Sequence, residues 1–270
     1  MNSFRSSSSP RVSAQPLLSA PPDCTRFHFQ RITSTNDYAK TLLQEYTCVA
    51  VTADEQTAGR GRHHRVWTGA NGANVYCSFG VKHSQPFPVE HLPVLQGLGC
   101  LSALYALRKT APAQEFFLKY PNDVYVVQTH DEHGPMYKKI CGVLVENDFM
   151  GAHCMTSIIG IGINVLQSQF PDDVAHKATS LTLLGVAAEP FEISEAVVAY
   201  LCEHYTLPPT TIMRVWQNEL LSRKHAYFRT DDPDKIRYTA VELLPTGHIV
   251  LQSADGHTIT VSQGDSLLIG

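Results

Sequence analysis

Gln56-Thr57-Ala58-Gly59-Arg60-Gly61-Arg62-His63-His64-Arg65-Val66-Trp67 is the stretch that decides how the rest of the chain is read. It follows Cys48 to Thr52, an apolar, β-favouring run, and Glu55 to Arg65 itself has no apolar periodicity, so it reads as a loop leaving a strand. Three arginines in six residues, separated by glycines that tolerate positive φ, suit a mobile loop whose N–H groups and guanidinium forks wrap phosphate oxygens. The loop alone fits a solvated basic surface or an RGG-like nucleic-acid contact equally well. Other nucleotide signatures are missing. There is no G-x-x-x-x-G-K-[ST], and Gly160-Ile161-Gly162-Ile163-Asn164 lacks a third glycine and lies in a strand.

Working outward, Ser34-Thr35-Asn36-Asp37 before Tyr38, Leu42 and Leu43 predicts a helix start with a capping side chain and about three turns of helix. Lys119-Tyr120-Pro121-Asn122-Asp123 ends a strand and presents an amide and a carboxylate in a tight turn, which by itself is ordinary turn chemistry. Lys138-Lys139-Ile140-Cys141-Gly142 runs into apolar Val143-Leu144-Val145. A lysine three residues before a glycine can project over the space that glycine leaves, or simply guard a strand edge.

Taken in order, Ser-Thr-Asn, Gln-x-x-Gly-Arg-Gly-Arg-x-x-Arg-x-Trp, Lys-aromatic-Pro-Asn-Asp, Lys-x-x-Gly-x-Leu-Val-Glu, Gly-Ile-Gly-Ile-Asn-Val and Ala178-Thr179-Ser180-Leu181 closely resemble the biotin protein ligase family, over roughly residues 28 to 270. The resemblance implies a ligase that activates biotin with Mg-ATP to biotinyl-5′-AMP and transfers biotin to a lysine of a carboxylase biotin domain. It implies that Ser34, Thr35, Asn36 and Gln56 line the biotin pocket, with Gly59, Arg60, Arg62, Lys139 and Gly142 completing it. Arg60, Arg62, Arg65, Trp67, Asn122, Lys139 and Asn164 are the implied ATP and adenylate contacts, and Lys139, Arg60 and Asp123 the catalytic set. Asp123 is either a base for the acceptor lysine or an Mg²⁺ ligand.

Three features depart from the family pattern. Tyr120 stands where Trp is usual and is expected to keep an aromatic wall. His63 and His64 replace a more basic, glycine-bearing pair; a zinc pair is the sharp alternative, but no Cys or carboxylate lies beside them. About 26 residues precede the catalytic module, too few and too polar for the winged helix-turn-helix of the repressor relatives, so no nucleic-acid partner is expected. Two rival functions remain. A lipoate or octanoate ligase shares the fold, but its long apolar substrate fits a Ser34/Thr35/Gln56 cluster poorly. A nucleic-acid-binding module would use the Arg60 to Arg65 loop, against a net charge of -4 and without aromatic stacking runs.

The remaining chain sets the frame. Seven scattered cysteines without a C-x-x-C pair read as reduced, mostly buried thiols. Apolar runs are too short for a membrane span, so no membrane partner is expected. Residues 1–26 read as a disordered tail, with a mitochondrial transit peptide as the alternative to a cytoplasmic protein. Helices are predicted from His91 to Lys109, with Gly97 and Gly99 permitting close packing, from Ser194 (as cap) to Tyr205, and from Thr210 to Ser222. Strands are predicted at Asn74 to Gly80, Phe116 to Lys119, Val124 to Gln128, Tyr137 to Glu146 and Met155 to Val165. The fold expected is α+β, a mixed or antiparallel sheet with flanking helices, class II synthetase-like in the family. Residues 27–222 form the catalytic domain and 223–270 a small SH3-like β-barrel. Edge strands leave a homodimer or pairing with the acceptor open.

Overall fold

The computed structural model describes residues 24–67, 69–131, 134–223, 225–262 and 267–269. The expected tail therefore lies almost wholly outside the described residues. Seven strands form one mixed sheet: β1 (Thr25–Ile32), β2 (Cys48–Gln56), β3 (Asn74–Phe87), β4 (Phe116–Lys119), β5 (Asp123–Asp131), β6 (Gly134–Met150) and β7 (His153–Asn164). Their order is β1-β2-β3-β7-β6-β5-β4, with β1 and β2 parallel and every other neighbour antiparallel. Strand β1 begins at Thr25, two residues before the expected start near Phe27, and pairs along its length with Val49 to Gln56. The middle strands also run longer than their apolar cores, since pairing in a ladder continues past the buried residues.

Helix α1 (Thr35–Leu42) lies on one face of this sheet; α2 (Leu92–Thr110), α4 (Pro190–His204) and α5 (Pro209–Leu221) lie on the other, and α3 is the short Asp172–Ala175 turn. The two-residue period of β2 sorts its side chains between the faces. Cys48 and Ala50 join the large core with α2 and α4, while Val49, Val51 and Ala53 pack with Ala39 of α1 and with Leu43, the residue that follows it. In β7, Ile159, Ile161 and Ile163 belong to the large core, which leaves Gly160, Gly162 and Asn164 on the α1 face. Gly97 and Gly99 do permit close packing: a Cβ at Gly97 would sit 2.7 Å from Trp216 of α5, and one at Gly99 2.6 Å from Ile159.

Two helix starts differ from expectation. Ser34 is the residue before α1, but its hydroxyl makes no capping bond, and the helix is eight residues, about two turns. Ser194 is inside α4, which begins at Pro190; its hydroxyl donates to Phe191 O at 2.7 Å. Proline at the first position supplies the start instead.

The C-terminal strands β8 (Ala226–Arg229), β9 (Tyr238–Leu243), β10 (Ile249–Ser253), β11 (Thr258–Val261) and β12 (Leu267–Ile269) form an antiparallel sheet ordered β11-β10-β9-β8-β12. This is the small C-terminal β-unit expected, an antiparallel sheet; among the described residues no ladder joins β11 to β12. Tyr227, Tyr238, Leu243, Ile249, Leu251 and Leu267 join the large core, so the small sheet shares apolar burial with the rest. Among the described residues no helix is long and apolar enough to cross a membrane. All seven cysteines are free thiols, five of them buried.

Candidate active site

The α1 face carries a cleft of about 1060 Å³, its floor made by β6 and β7 and its rim by the Arg60 to Trp67 segment, with Leu267 and Leu268 of β12 reaching it. Ser34, Thr35, Asn36, Gln56, Arg60, Arg62, Arg65, Trp67, Asn122, Asp123, Lys139, Gly142 and Asn164 all line it. Gly59 does not; its backbone supports the rim, since Trp67 N donates to Gly59 O at 2.9 Å and a Cβ there would lie 2.4 Å from Trp67 O.

One end of the cleft is a polar lattice. Thr35 donates to Gln56 Oε1 from its backbone N at 2.7 Å and from Oγ1 at 3.0 Å. Ser78 Oγ lies 2.7 Å from Thr35 Oγ1 and donates to Asn36 Oδ1 at 2.5 Å, and Asn36 Nδ2 donates to Glu146 Oε2 at 2.6 Å. Thr35, Asn36 and Ser78 are buried. A donor chain anchored on a carboxylate fixes the Asn36 amide in one orientation, because Glu146 can only accept. Gly160 makes the arrangement sterically feasible: a Cβ there would be 2.3 Å from Asn36 Oδ1.

The middle and far end carry the ring and the charges. The Trp67 indole lies on the glycine floor, where a Cβ at Gly162 would sit 2.5 Å from Nε1 and one at Gly142 3.1 Å from the ring. Its Nε1 is buried and has no hydrogen-bond partner among the described residues. Lys139 Nζ is 5.5 Å from the ring centroid and 2.6 Å from Asp123 Oδ1. Arg62 Nη1 donates to Asn122 Oδ1 at 3.2 Å, and Asn122 Nδ2 to Val143 O at 3.1 Å. Asn164 Nδ2 donates to Thr179 O at 3.0 Å. With Arg60 paired to Asp37 and Glu146, the cations Arg62, Arg65, Lys119, Lys139 and Lys177 still outnumber the carboxylates Asp123 and Asp173 along the cleft, so an otherwise acidic chain concentrates positive potential here.

The basic rim is folded rather than open. Gly61 N donates to Arg65 O at 2.7 Å, Arg60 bridges Val66, and Arg62–His64 form one tight turn with His63 at φ 53°. Histidine tolerates that left-handed conformation better than most residues. Among the described residues no group of three or more His, Cys, Asp or Glu is placed to hold a metal.

Tyr120 does not form a wall of the cleft. It is 1% exposed and its hydroxyl faces C-terminal carbonyls, at 2.9 Å from Gly247 O and 3.2 Å from Val261 O, so it ties the two sheets together. Sequence reading also passed over Ser78, Asp37 and Gly160. Ser78 had a signal, as the one small aliphatic hydroxyl amid Val75, Tyr76, Cys77 and Phe79. Glu146 closed a motif without a role being drawn for it.

Comparison with known proteins follows the same outline. The chain is 36% identical over 134 residues to the bifunctional ligase/repressor BirA of Bacillus subtilis, covering 49% of this chain and 38% of that protein. It is 37% identical over 145 residues to the biotin–[acetyl-CoA-carboxylase] ligase of Mycobacterium tuberculosis, covering 52% and 47%. The matches thus span less than half the length of these curated relatives. Among solved structures, the biotin protein ligase of Aquifex aeolicus in complex with biotin and ATP superposes with a TM-score of 0.65 at 24% identity, over 91% of this chain and 98% of that one, and shows the same fold. The Leishmania major biotin protein ligase in complex with biotinyl-5-AMP gives 0.55 at 27% identity, over 88% and 99%. The biotin/lipoate A/B protein ligase family matches residues 28–164, just over half of the chain, and the protein belongs to that family.

Proposed function

We propose that the protein is a biotin protein ligase that condenses biotin with ATP and passes the biotinyl group to a lysine of a carboxylase biotin domain. The observation that carries this reading is the polarity of the cleft. One end offers fixed neutral donors and acceptors suited to a ureido ring, the other a row of cations suited to a triphosphate, with Trp67 and the Gly142/Gly162 floor between. The names of the M. tuberculosis relative and the two ligand complexes point the same way.

In the first step a biotin carboxylate oxygen attacks the α-phosphorus of ATP, a P–O bond forms, and pyrophosphate leaves. Two anions must approach, so Lys139 near the junction lowers the barrier by offsetting charge on the α-phosphate, with Arg62, Arg65 and Lys119 to steady the phosphates. Asp123, paired with Lys139, fixes that ammonium in place. Magnesium carried in on the ATP phosphates would need few protein ligands, and Asp123 is the cleft carboxylate that could supply one. In the second step the neutral amine of the acceptor lysine attacks the acyl carbonyl and AMP departs. Asn122 and Asp123 stand at that end of the cleft, Asp123 as the group to take the amine proton. We read residues 27–222 as the catalytic unit, with 223–270 closing the nucleotide end through Leu267 and Leu268.

Incubation with labelled biotin, Mg-ATP and a purified carboxylase biotin domain tests the transfer. Label should appear on the acceptor lysine and vanish when that lysine is replaced by arginine; an unlabelled acceptor contradicts the proposal.

A further inference from the structure

Arg60 is held by two carboxylates and a hydroxyl. Its Nε donates to Glu146 Oε1 at 3.1 Å; Nη2 donates to Glu146 Oε2 at 3.1 Å and Asp37 Oδ1 at 2.5 Å; Nη1 donates to Asp37 Oδ2 at 2.8 Å and Ser34 Oγ at 3.3 Å. A guanidinium has five N–H groups, one on Nε and two on each terminal nitrogen. These contacts use all of them. A phosphate reaching Arg60 would have to displace a carboxylate from a forked, charge-assisted pair and would meet two fixed negative charges on the way.

The lock also reaches the floor of the cleft. Glu146 accepts from Asn36 as well as from Arg60, and Asn36 is the buried amide wedged over Gly160 and bonded to Ser78. Asp37 and Asn36 are neighbours in the first turn of α1, so one guanidinium ties that turn to β6 and to the rim segment. The Arg60 hydrogen bonds hold the Asp37 carboxyl below the usual carboxylate range, in keeping with a pair that stays ionised.

We propose that Arg60, which the family resemblance would make catalytic and an ATP contact, is instead a positioning residue, locked by Asp37 and Glu146 as a fixed wall of the polar end of the cleft, and that phosphate binding falls to the cations beyond it. The biotin-specific part of this rests on the ligase reading above; the lock itself does not. Its loss should disturb the ureido pocket through Asn36 and Ser34 and leave the nucleotide end alone.

The test is a double-mutant cycle of Arg60→Gln and Glu146→Gln in the full chain, read by biotin-dependent ATP–pyrophosphate exchange. Each single variant should raise the KM for biotin about tenfold or more while the KM for ATP stays within about twofold and turnover at saturating biotin within about threefold. The double variant should be no worse than the poorer single one, because both remove the same tie. A rise in the ATP KM equal to that for biotin would place the guanidinium on phosphate and overturn the proposal, as would additive losses. Trypsin cutting after Arg60 gives a readout independent of substrate identity. It should be at least about tenfold faster in the Asp37→Asn/Glu146→Gln chain than in wild type, since the arginine must leave its partners to enter the protease. Equal rates would mean that no lock exists. Absence of biotin-dependent exchange in wild type with a positive trypsin result would sink the ligase reading and leave the lock standing.

Discussion

Lys139 and Asp123 face one another from adjacent strands, the ammonium 2.6 Å from a carboxylate oxygen, with the lysine also 5.5 Å from the Trp67 ring centroid. The pair sets a flexible side chain in one place before any substrate arrives. An ammonium already positioned where charge develops need not reorganise during reaction. Lys139→Ala should therefore lower the adenylation rate constant about 100-fold or more, about 3 kcal/mol of barrier, with a much smaller effect on biotin affinity. Single-turnover formation of adenylate, set beside equilibrium biotin binding, separates the two; a loss confined to biotin affinity would make Lys139 a pocket wall only.

Gly160 tests the polar lattice without touching a charged group. In Gly160→Ala the new Cβ must displace the Asn36 amide, because it would lie 2.3 Å from Oδ1. Asn36 then loses its fit to Ser78 and Glu146, and biotin affinity should fall about tenfold or more, while ATP affinity is unchanged. Titration calorimetry with each ligand checks this, and an unaltered biotin affinity would remove Asn36 from the pocket.

How much of this was legible beforehand depends on the range of the interactions. The period-two pattern of β7 is local, so Ile159, Ile161 and Ile163 could be read as one face, and the glycines and Asn164 followed onto the other. The ordered motifs likewise name most residues that line the cleft. Tyr120 was misread because its decisive partners, Gly247 O and Val261 O, are more than a hundred residues away in sequence. The lattice was hidden for the same reason: Asn36, Ser78 and Glu146 come from three elements and meet only because β3, β7 and β6 are neighbours and α1 covers them. Helix starts were misplaced where Ser34 and Ser194 looked like caps, since a hydroxyl in the right sequence position still takes whichever partner the fold brings nearer.

Two buried histidines make stability depend on pH. His83, hydrogen-bonded to Ser157 at 2.9 Å, and His225, against Phe117, are both pushed down to about 4 from 6.5, chiefly by burial. Between those values the unfolded chain binds more protons than the folded one, so stability is fully present above about pH 6.5 and is lost as pH falls through 4. The melting temperature should drop over pH 6.5 to 4, and His83→Gln should flatten part of that slope. A wild-type melting temperature constant across this range would show that neither ring is held neutral.

Biotin-dependent exchange of labelled pyrophosphate into ATP bears most directly on the ligase assignment. The cleft predicts exchange with biotin and Mg-ATP and little with lipoate or octanoate, since an apolar ligand without a ureido ring offers no polar groups to the lattice around Thr35, Asn36 and Gln56 and would desolvate it without return. Exchange driven by lipoate or octanoate and not by biotin would contradict the assignment of the polar end of the cleft to a ureido ring.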